Sequence, residues 1–557
     1  MLLMVALPLI SAALVHGLSS TLSKRVARLS IAGSLGAFLV AALALFLILT
    51  DSTVGSGQTS LGNAWFVLLL DPLSALMALV VSGISLLVHL YSVRYMAEEP
   101  GYARFFVLLD LMTASLLIMV SAGDLITLLV AWHLIGVLLY FLLGQDTRSP
   151  SAYRYAFWTL FTYRIGDLPL VLAAALLFHA YGTWSLPEIF ELMAADNGGR
   201  EIFGLPLAEV VGGLIALSAF ARSAQFLMHT WLPYTMGGPT PVSALMHAGI
   251  VNAGGFLINR FAPVFVQTSD VLHWVFIVGL VTAVIGSILM LSQHDIKKAL
   301  GYSTMGQMGF MIMECGVGAF SLAVYHLIAH GLFKGTLFLS AGGVIHDSRK
   351  EDGVPKGDLY TFVVERRPAR TRQPWLLMAM LTLAFPIVVL FMAHWVVAED
   401  FFHKQGAVIL LFFGWVTGAQ LIFATYRMRS ENIWRLFTLI LVSFTIVVLG
   451  YTVISHAFDL FLYPDEAFRE SIYRAAGIDL ISFDILVAVM SAVIVFGWLL
   501  TYYGEHSRKK GERWSERLWQ RSYALISAEL HLNGIYTALS RWLIHAAGRL
   551  NVLLRWS

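Results

Sequence analysis

Ionisable and amide side chains recur inside the apolar stretches of this chain at helical spacings. Arg222, Gln225 and His229 fall at i, i+3 and i+7, which predicts one face of a helix running up to Trp231-Leu232-Pro233. His247 and Asn252 lie on the helix that resumes after Pro239-Thr240-Pro241. His326, His330 and Lys334 recur at i, i+4 and i+8, a polar stripe that serves no apolar packing. His133, Asp167, Arg222, His229, His247, His326, His330 and Lys334 together make a candidate ion path. The chemistry is proton or cation transfer, since imidazoles exchange protons near neutral pH and ionisable groups inside spans mark such routes. Asp71, His89, Asp110, Arg164 and Glu314 also fall within apolar runs. A charge facing lipid costs about 2.5 kcal/mol or more, so each of these groups is expected to face protein or water. Arg164 and Asp167, three apart in TYRIGDLP, are expected to pair on one helix face, with Gly166 between them permitting a close helix approach.

The elements that position these residues must be membrane spans. A spanning helix breaks at membrane depth only where its freed backbone groups are buried in protein or line a wet cavity, so the interruption between Trp231 and Pro241 predicts a pathway. The 557 residues are 58% hydrophobic and 13% charged, with a mean hydropathy of +0.76, far too apolar for a soluble globule. Apolar runs long enough to cross a bilayer begin at Leu2 and recur as far as residue 503, about fifteen in all, so the fold class is all-α and polytopic. The opening MLLMVALPLISAALVHGL has no basic n-region and no clear cleavage site, and reads as the first span rather than a removed signal. A lone cysteine, Cys315, excludes a disulfide framework and any cysteine-ligated cluster or multi-cysteine zinc site. No P-loop or dinucleotide fingerprint is present, so no catalytic, metal or cofactor site is expected in this chain and energy must come from an ion gradient or a partner.

The formal net charge is +2, but the basic residues are unevenly placed. With the N-terminus outside, Lys24/Arg25/Arg28, Arg94/Arg104, Arg148/Arg154, Lys297/Lys298, the stretch 349–372 and Arg427/Arg429/Arg435 all fall on cytoplasmic connections, and the C-terminus is cytoplasmic. The polar loop 347–373, with Arg366, Arg367, Arg370 and Arg372, is expected either to anchor that side or to dock a soluble partner. The segment from Leu532 to Leu550 mixes apolar and basic residues and reads as a surface-lying helix or a partner contact. The expected division is 1–100 for N-terminal helices, 101–265 and 266–430 for two repeats, 431–505 for additional helices, and 506–557 for a basic amphipathic C-terminal segment.

DPLSALMALVVSGISLLVHLYSVRYM from Asp71, IGD at Ile165 to Asp167, SAQFLMHTWLPYTMGGPTPVSALMHA from Ser223, DIKKALGYSTMGQMGFM from Asp295 and AVYHLIAHGLFKGTLFLSAGGVIH from Ala323 carry a family resemblance over roughly residues 65 to 346. These motifs resemble the antiporter-like family that includes subunit L of bacterial respiratory complex I and the Mrp cation/proton antiporter subunits. The resemblance implies two inverted repeats, each with a broken helix, and buried ionisable groups along the midplane.

The chain departs from the usual pattern. Trp132-His133-Leu134 replaces a glutamate motif, Arg222 stands for a lysine, and Tyr234 stands where an acidic residue follows TWLP. The second broken helix becomes LTLAFPIVVLFMAHWVVAED, which keeps Pro386 as a breaker and has no lysine. The pattern is similar to the DabB-type membrane subunits of bacterial inorganic-carbon pumps. That resemblance implies a proton- or sodium-translocating subunit of the inner membrane, in a complex for CO2/bicarbonate uptake. Its implied partner is a DabA-like cytoplasmic protein that holds zinc and carries out any catalysis. Because arginine cannot deprotonate and a fixed cation favours a neutral imidazole, His133 is expected to carry protons and Arg222 to be a fixed positive barrier if the two approach as the family's carboxylate–lysine pair does. The alternative is a proton-pumping subunit of a complex I or membrane hydrogenase type redox complex.

Overall fold

The computed structural model describes residues 1–348 apart from 51–56, 61–66, 147, 197–198, 203, 236–237 and 294–295, then most of 453–477 and 520–554 with isolated positions between them. Eight stretches among the described residues are long and apolar enough to cross a membrane. The chain is an all-α polytopic membrane protein. Arg366, Arg367, Arg370 and Arg372, nearly all of the 347–373 loop, the spans expected between 373 and 450, and Pro386 lie outside the described residues.

The first helices follow the apolar runs closely: α1 (Leu2–Leu22), α2 (Ala27–Thr50), α3 (Pro72–Tyr95), α4 (Tyr102–Val120), α5 (Leu125–Leu143) and α6 (Pro150–Tyr181). Their starts are fixed locally. Asp71 caps α3 by accepting from Ser74 N at 2.7 Å while Ser74 Oγ accepts from Asp71 N at 2.8 Å, with Pro72 in the first helical position. Asp124 caps α5 through Thr127 N at 2.7 Å, and its other oxygen accepts from Val67 N at 3.0 Å. That second bond ties α5 to a hairpin of β1 (Gly57–Ser60) and β2 (Val67–Leu70), paired antiparallel with Gly57 opposite Leu70. A short helix α7 (Leu186–Asp196) and a two-residue hairpin, β3 (Glu201–Ile202) with β4 (Leu205–Pro206), precede α8 (Leu207–Arg222).

Beyond α8 the chain is interrupted. A single turn, α9 (Trp231–Tyr234), leads to α10 (Thr240–Ala248), a 3-10 turn at Ile250–Asn252, α11 (Ala253–Arg260) and the turn α12 (Ala262–Phe265). Three long helices follow, α13 (Ser269–Ser292), α14 (Ile296–Gly316) and α15 (Phe320–Ser348). Towards the C-terminus are α16 (Glu466–Ala476) and α17 (Leu532–Leu554), the latter matching the amphipathic segment expected there.

Small residues set the approaches that matter for the path. A Cβ at Gly166 would lie 2.4 Å from Ala221 Cβ, so α6 and α8 meet as closely as TYRIGDLP suggests. A Cβ at Gly331 would lie 2.5 Å from Ala248 O, which places α15 directly on the end of α10. Large apolar side chains such as Leu168, Trp274 and Phe333 point outward, while Arg222 is among the largest side chains that are fully buried. That distribution suits a protein whose surroundings are lipid.

Candidate ion path

The break begins earlier than the sequence suggests. Helix α8 ends at Arg222, and the next residues include Ala224 and Leu227 at φ +48° and +71°, a left-handed backbone that ends a helix. Gln225 and His229 therefore do not share a helix face with Arg222, because the chain has already left the helix. Neighbours satisfy the freed backbone: Phe226 N donates to Thr282 Oγ1 of α13 at 2.9 Å, and Ser223 Oγ donates to Val251 O at 2.7 Å. Irregular backbone is tolerated at this depth on that condition. The far end of the interrupted segment is anchored by Arg260, which pairs with Asp71 and donates to Val120 O at 3.1 Å.

At the end of α8, Arg222 meets α5 and α6. Its Nη2 donates to Trp132 O and lies 3.4 Å from Asp167 Oδ1, and its guanidinium carbon stands 4.5 and 4.1 Å from the Trp132 and Tyr163 ring centroids. Arg164 Nη2 lies 2.9 Å from Asp167 Oδ2, so the local pair expected from the sequence is present. The same oxygen is 3.4 Å from His133 Nδ1. Arg164 also abuts the His133 ring and donates to His133 O at 3.1 Å. Among the described residues, the His133 side chain is 59% exposed and Arg164 28%. The polar cluster thus runs from a buried arginine outward to a histidine at the surface of the helix layer.

Beyond the break a second group forms around α14 and α15. His247 Nδ1 is 3.0 Å from Thr304 Oγ1, and its ring stacks on Phe338 at 4.3 Å. Lys334 Nζ donates to Ser303 Oγ at 2.7 Å. His326 Nδ1 is 3.0 Å from Glu314, while its Nε2 is 2.9 Å from Gln307 Oε1. The His326 and His330 rings stand 6.4 Å apart on α15, as their spacing requires. All three members of the stripe are at most 8% exposed.

Several buried polar atoms along this line have no protein hydrogen-bond partner among the described residues: Gln225 Oε1, His229 Nδ1, His247 Nε2, Asn252 Oδ1 and both ring nitrogens of His330. Buried polar atoms are nearly always satisfied by protein or ordered water, so each of these is a place where a water molecule could complete the bonding. The contrast is the network between α2, α3 and α4. There His89 Nε2 meets Asp110 Oδ1 at 3.1 Å, Ser30 Oγ donates to Asp110 Oδ2 at 2.6 Å, and Ser85 joins His89 to Thr113. Each of those side chains is completed within the protein, which is the signature of a structural core network.

Sequence reasoning passed over the partners on α14, Ser303, Thr304 and Gln307. They are uncharged, but their spacing with Glu314 on one helix was a readable signal. It also passed over Glu529, which meets Tyr234 and Lys298 across the fold and which no local pattern singles out.

The family described as NADH:quinone oxidoreductase/Mrp antiporter, transmembrane, matches residues 122–420, and the N-terminal family of complex I chain 5 matches 60–106. The "Probable inorganic carbon transporter subunit DabB1" of Halothiobacillus neapolitanus is 58% identical over 553 residues, covering 99% of this chain and 98% of that protein. The chloroplastic NAD(P)H-quinone oxidoreductase subunit 5 of Ceratophyllum demersum is 38% identical over 50% of this chain and 38% of its own length. Among solved structures, the Mrp complex from Dietzia sp. DQ12-45-1b aligns over the whole chain and 60% of its own, with TM-score 0.61 and 25% identity. The archaeal membrane-bound sulfane sulfur reductase shares the fold at TM-score 0.55 and 19% identity, over 90% of this chain and 96% of its own. This chain belongs to the NADH:quinone oxidoreductase/Mrp antiporter family and, within it, to the DabB group of inorganic carbon transporter subunits.

Proposed function

We propose that this chain is the ion-translocating membrane subunit of an energy-coupled inorganic-carbon uptake complex, and that the path runs through the interrupted helix to the α15 stripe. One observation carries the path: buried polar atoms without protein partners follow the break and α15, from Gln225 and His229 to His247, Asn252 and His330. The 58% identity to an inorganic carbon transporter subunit over 99% of the chain supports this reading over the redox alternative, since the quinone oxidoreductase subunit 5 of Ceratophyllum demersum is 38% identical over 50% of the chain.

In this reading, any catalysis on CO2 or bicarbonate belongs to a cytoplasmic zinc-bearing partner of DabA type. That partner docks on the basic 347–373 loop and the C-terminal segment. The end of the helix layer carrying Arg94, Arg104, Arg154 and Lys298 faces the cytoplasm, in keeping with the positive-inside rule. The test is complementation of a strain that needs elevated CO2, with this chain and its partner supplied together. Growth in air with both chains, and none with either alone, is the expected outcome. Growth with the partner alone would remove the transport role.

A further inference from the structure

The C-terminal segment returns to the near end of the interrupted helix. Glu529 is 7% exposed; one carboxylate oxygen accepts from Tyr234 Oη, and the other lies 3.3 Å from Lys298 Nζ. Lys298 Nζ also stands 4.6 Å from the centroid of the Tyr234 ring, which stacks on Tyr155 at 5.4 Å. Close by, Trp158 Nε1 donates to Thr230 Oγ1 at 3.1 Å while its ring meets Tyr536 of α17 edge-on at 5.5 Å. The segment 529–536 therefore lies over residues 230–234, the single turn α9 within the interruption.

The backbone that presents Glu529 is unusual. Glu529, Leu530 and His531 hold φ of +56°, +56° and +57°, a left-handed run that non-glycine residues rarely adopt in succession. Such a run persists where surrounding contacts over-determine it. On α14, Lys298 and Tyr302 are one turn apart; the fully buried Tyr302 neighbours Glu529 and lies 6.4 Å, ring to ring, from His229 inside the break. The titratable and charged groups facing Glu529 are thus Lys298 and Tyr302 of α14 and Tyr234 of α9, with Arg154 of α6 beyond Tyr234.

We propose that Glu529 is a proton-binding carboxylate at the mouth of the path and that the C-terminal segment is the latch that places it there. This rests on the reading of the polar line as an ion path. The carboxylate takes a proton from the water side, loosening its pairing with Lys298. It then gives that proton up towards His229, whose Nδ1 has no protein partner among the described residues. The proton is conserved in each transfer, and no other bond forms or breaks. A glutamine keeps one acceptor oxygen for Tyr234 but puts a donating NH2 where the second oxygen faces Lys298, and it cannot take up a proton, so aspartate and a relocated carboxylate are the controls that separate proton binding from holding the tail.

The experiment uses the full-length chain assembled with its partner in native membrane vesicles. Proton uptake under an imposed gradient is read with entrapped pyranine, in sodium-containing and sodium-free buffer. Glu529→Gln is expected to lower uptake at least about tenfold with the amount of assembled chain unchanged, while Glu529→Asp keeps most of it. Tyr234→Glu combined with Glu529→Gln moves the carboxylate across the same contact to within reach of Lys298, and should recover part of the loss. Wild-type uptake in Glu529→Gln, with His330→Ala inactive, overturns the proposal and leaves the path standing. Wild-type uptake in both variants overturns the path and the proposal together. A loss in Glu529→Gln that neither aspartate nor the relocated carboxylate relieves shows a tail that only holds structure, and also overturns it.

Discussion

Arg222 meets Asp167, not His133. Its Nη2 lies 3.4 Å from Asp167 Oδ1, and His133 Nδ1 lies 3.4 Å from the other oxygen of the same carboxylate. The acid therefore stands between the buried guanidinium and the surface-facing imidazole, and Arg164 shares it from the outer side. The proposed barrier and the proposed carrier thus contact the same carboxylate.

Removing that side chain leaves two arginines without their counter-charge, one of them fully buried. Asp167→Asn is expected to destabilise the folded protein by about 3–5 kcal/mol, as loss of one partner of a buried ion pair does. Thermal unfolding in detergent, compared with the wild type, reads this directly. A stability within error of wild type would show that the backbone carbonyl of Trp132 and the flanking rings are sufficient for Arg222.

His133 and Arg222 should respond differently to substitution. His133→Ala removes the only imidazole on Asp167 among the described residues and is expected to abolish transport. Arg222→Lys keeps the charge beside Asp167 but loses the planar stack between Trp132 and Tyr163, and should retain part of the activity. Transport assays on assembled complexes decide the ranking. An active His133→Ala with an inactive Arg222→Lys would show that guanidinium geometry matters and that His133 carries nothing.

The His89–Asp110 network is expected to behave as structure. Asp110→Ala leaves His89, Ser30 and their neighbours with lost partners in a fully buried site, and should reduce stability by about 3–5 kcal/mol. Its effect on transport should follow the amount of folded chain. Activity per folded molecule that falls far below wild type would place this network on the path instead.

Reversal of Arg366, Arg367 and Arg370 to glutamate should weaken copurification of the cytoplasmic partner while insertion is unchanged. Partner recovery equal to wild type would move the docking surface away from this loop.

Much of this was legible in the chain. Helices α1 to α6, α13 and α15 follow directly from long apolar runs, and Arg164 with Asp167 at i, i+3 forms the expected pair. The stripe from His326 to Lys334 shares a helix as its spacing requires. The start of the break was misplaced because SAQFLMH is apolar enough to continue a helix. What ends α8 is the left-handed backbone at Ala224 and Leu227, which neither residue type announces. The exposure of His133 was hidden for a different reason. A helix of leucines around one histidine has no polar face to show which way that histidine points. Glu529 was invisible because its partners, Tyr234 and Lys298, come from distant parts of the chain and only tertiary folding joins them.

The most direct test of an ion path through the α15 stripe is proton and sodium flux into vesicles bearing the assembled complex, measured for Lys334→Ala and His330→Ala beside the wild type. Loss of flux in both variants, with assembly intact, is the expected result. Wild-type flux in both would contradict the path and leave the stripe a structural feature of the helix layer.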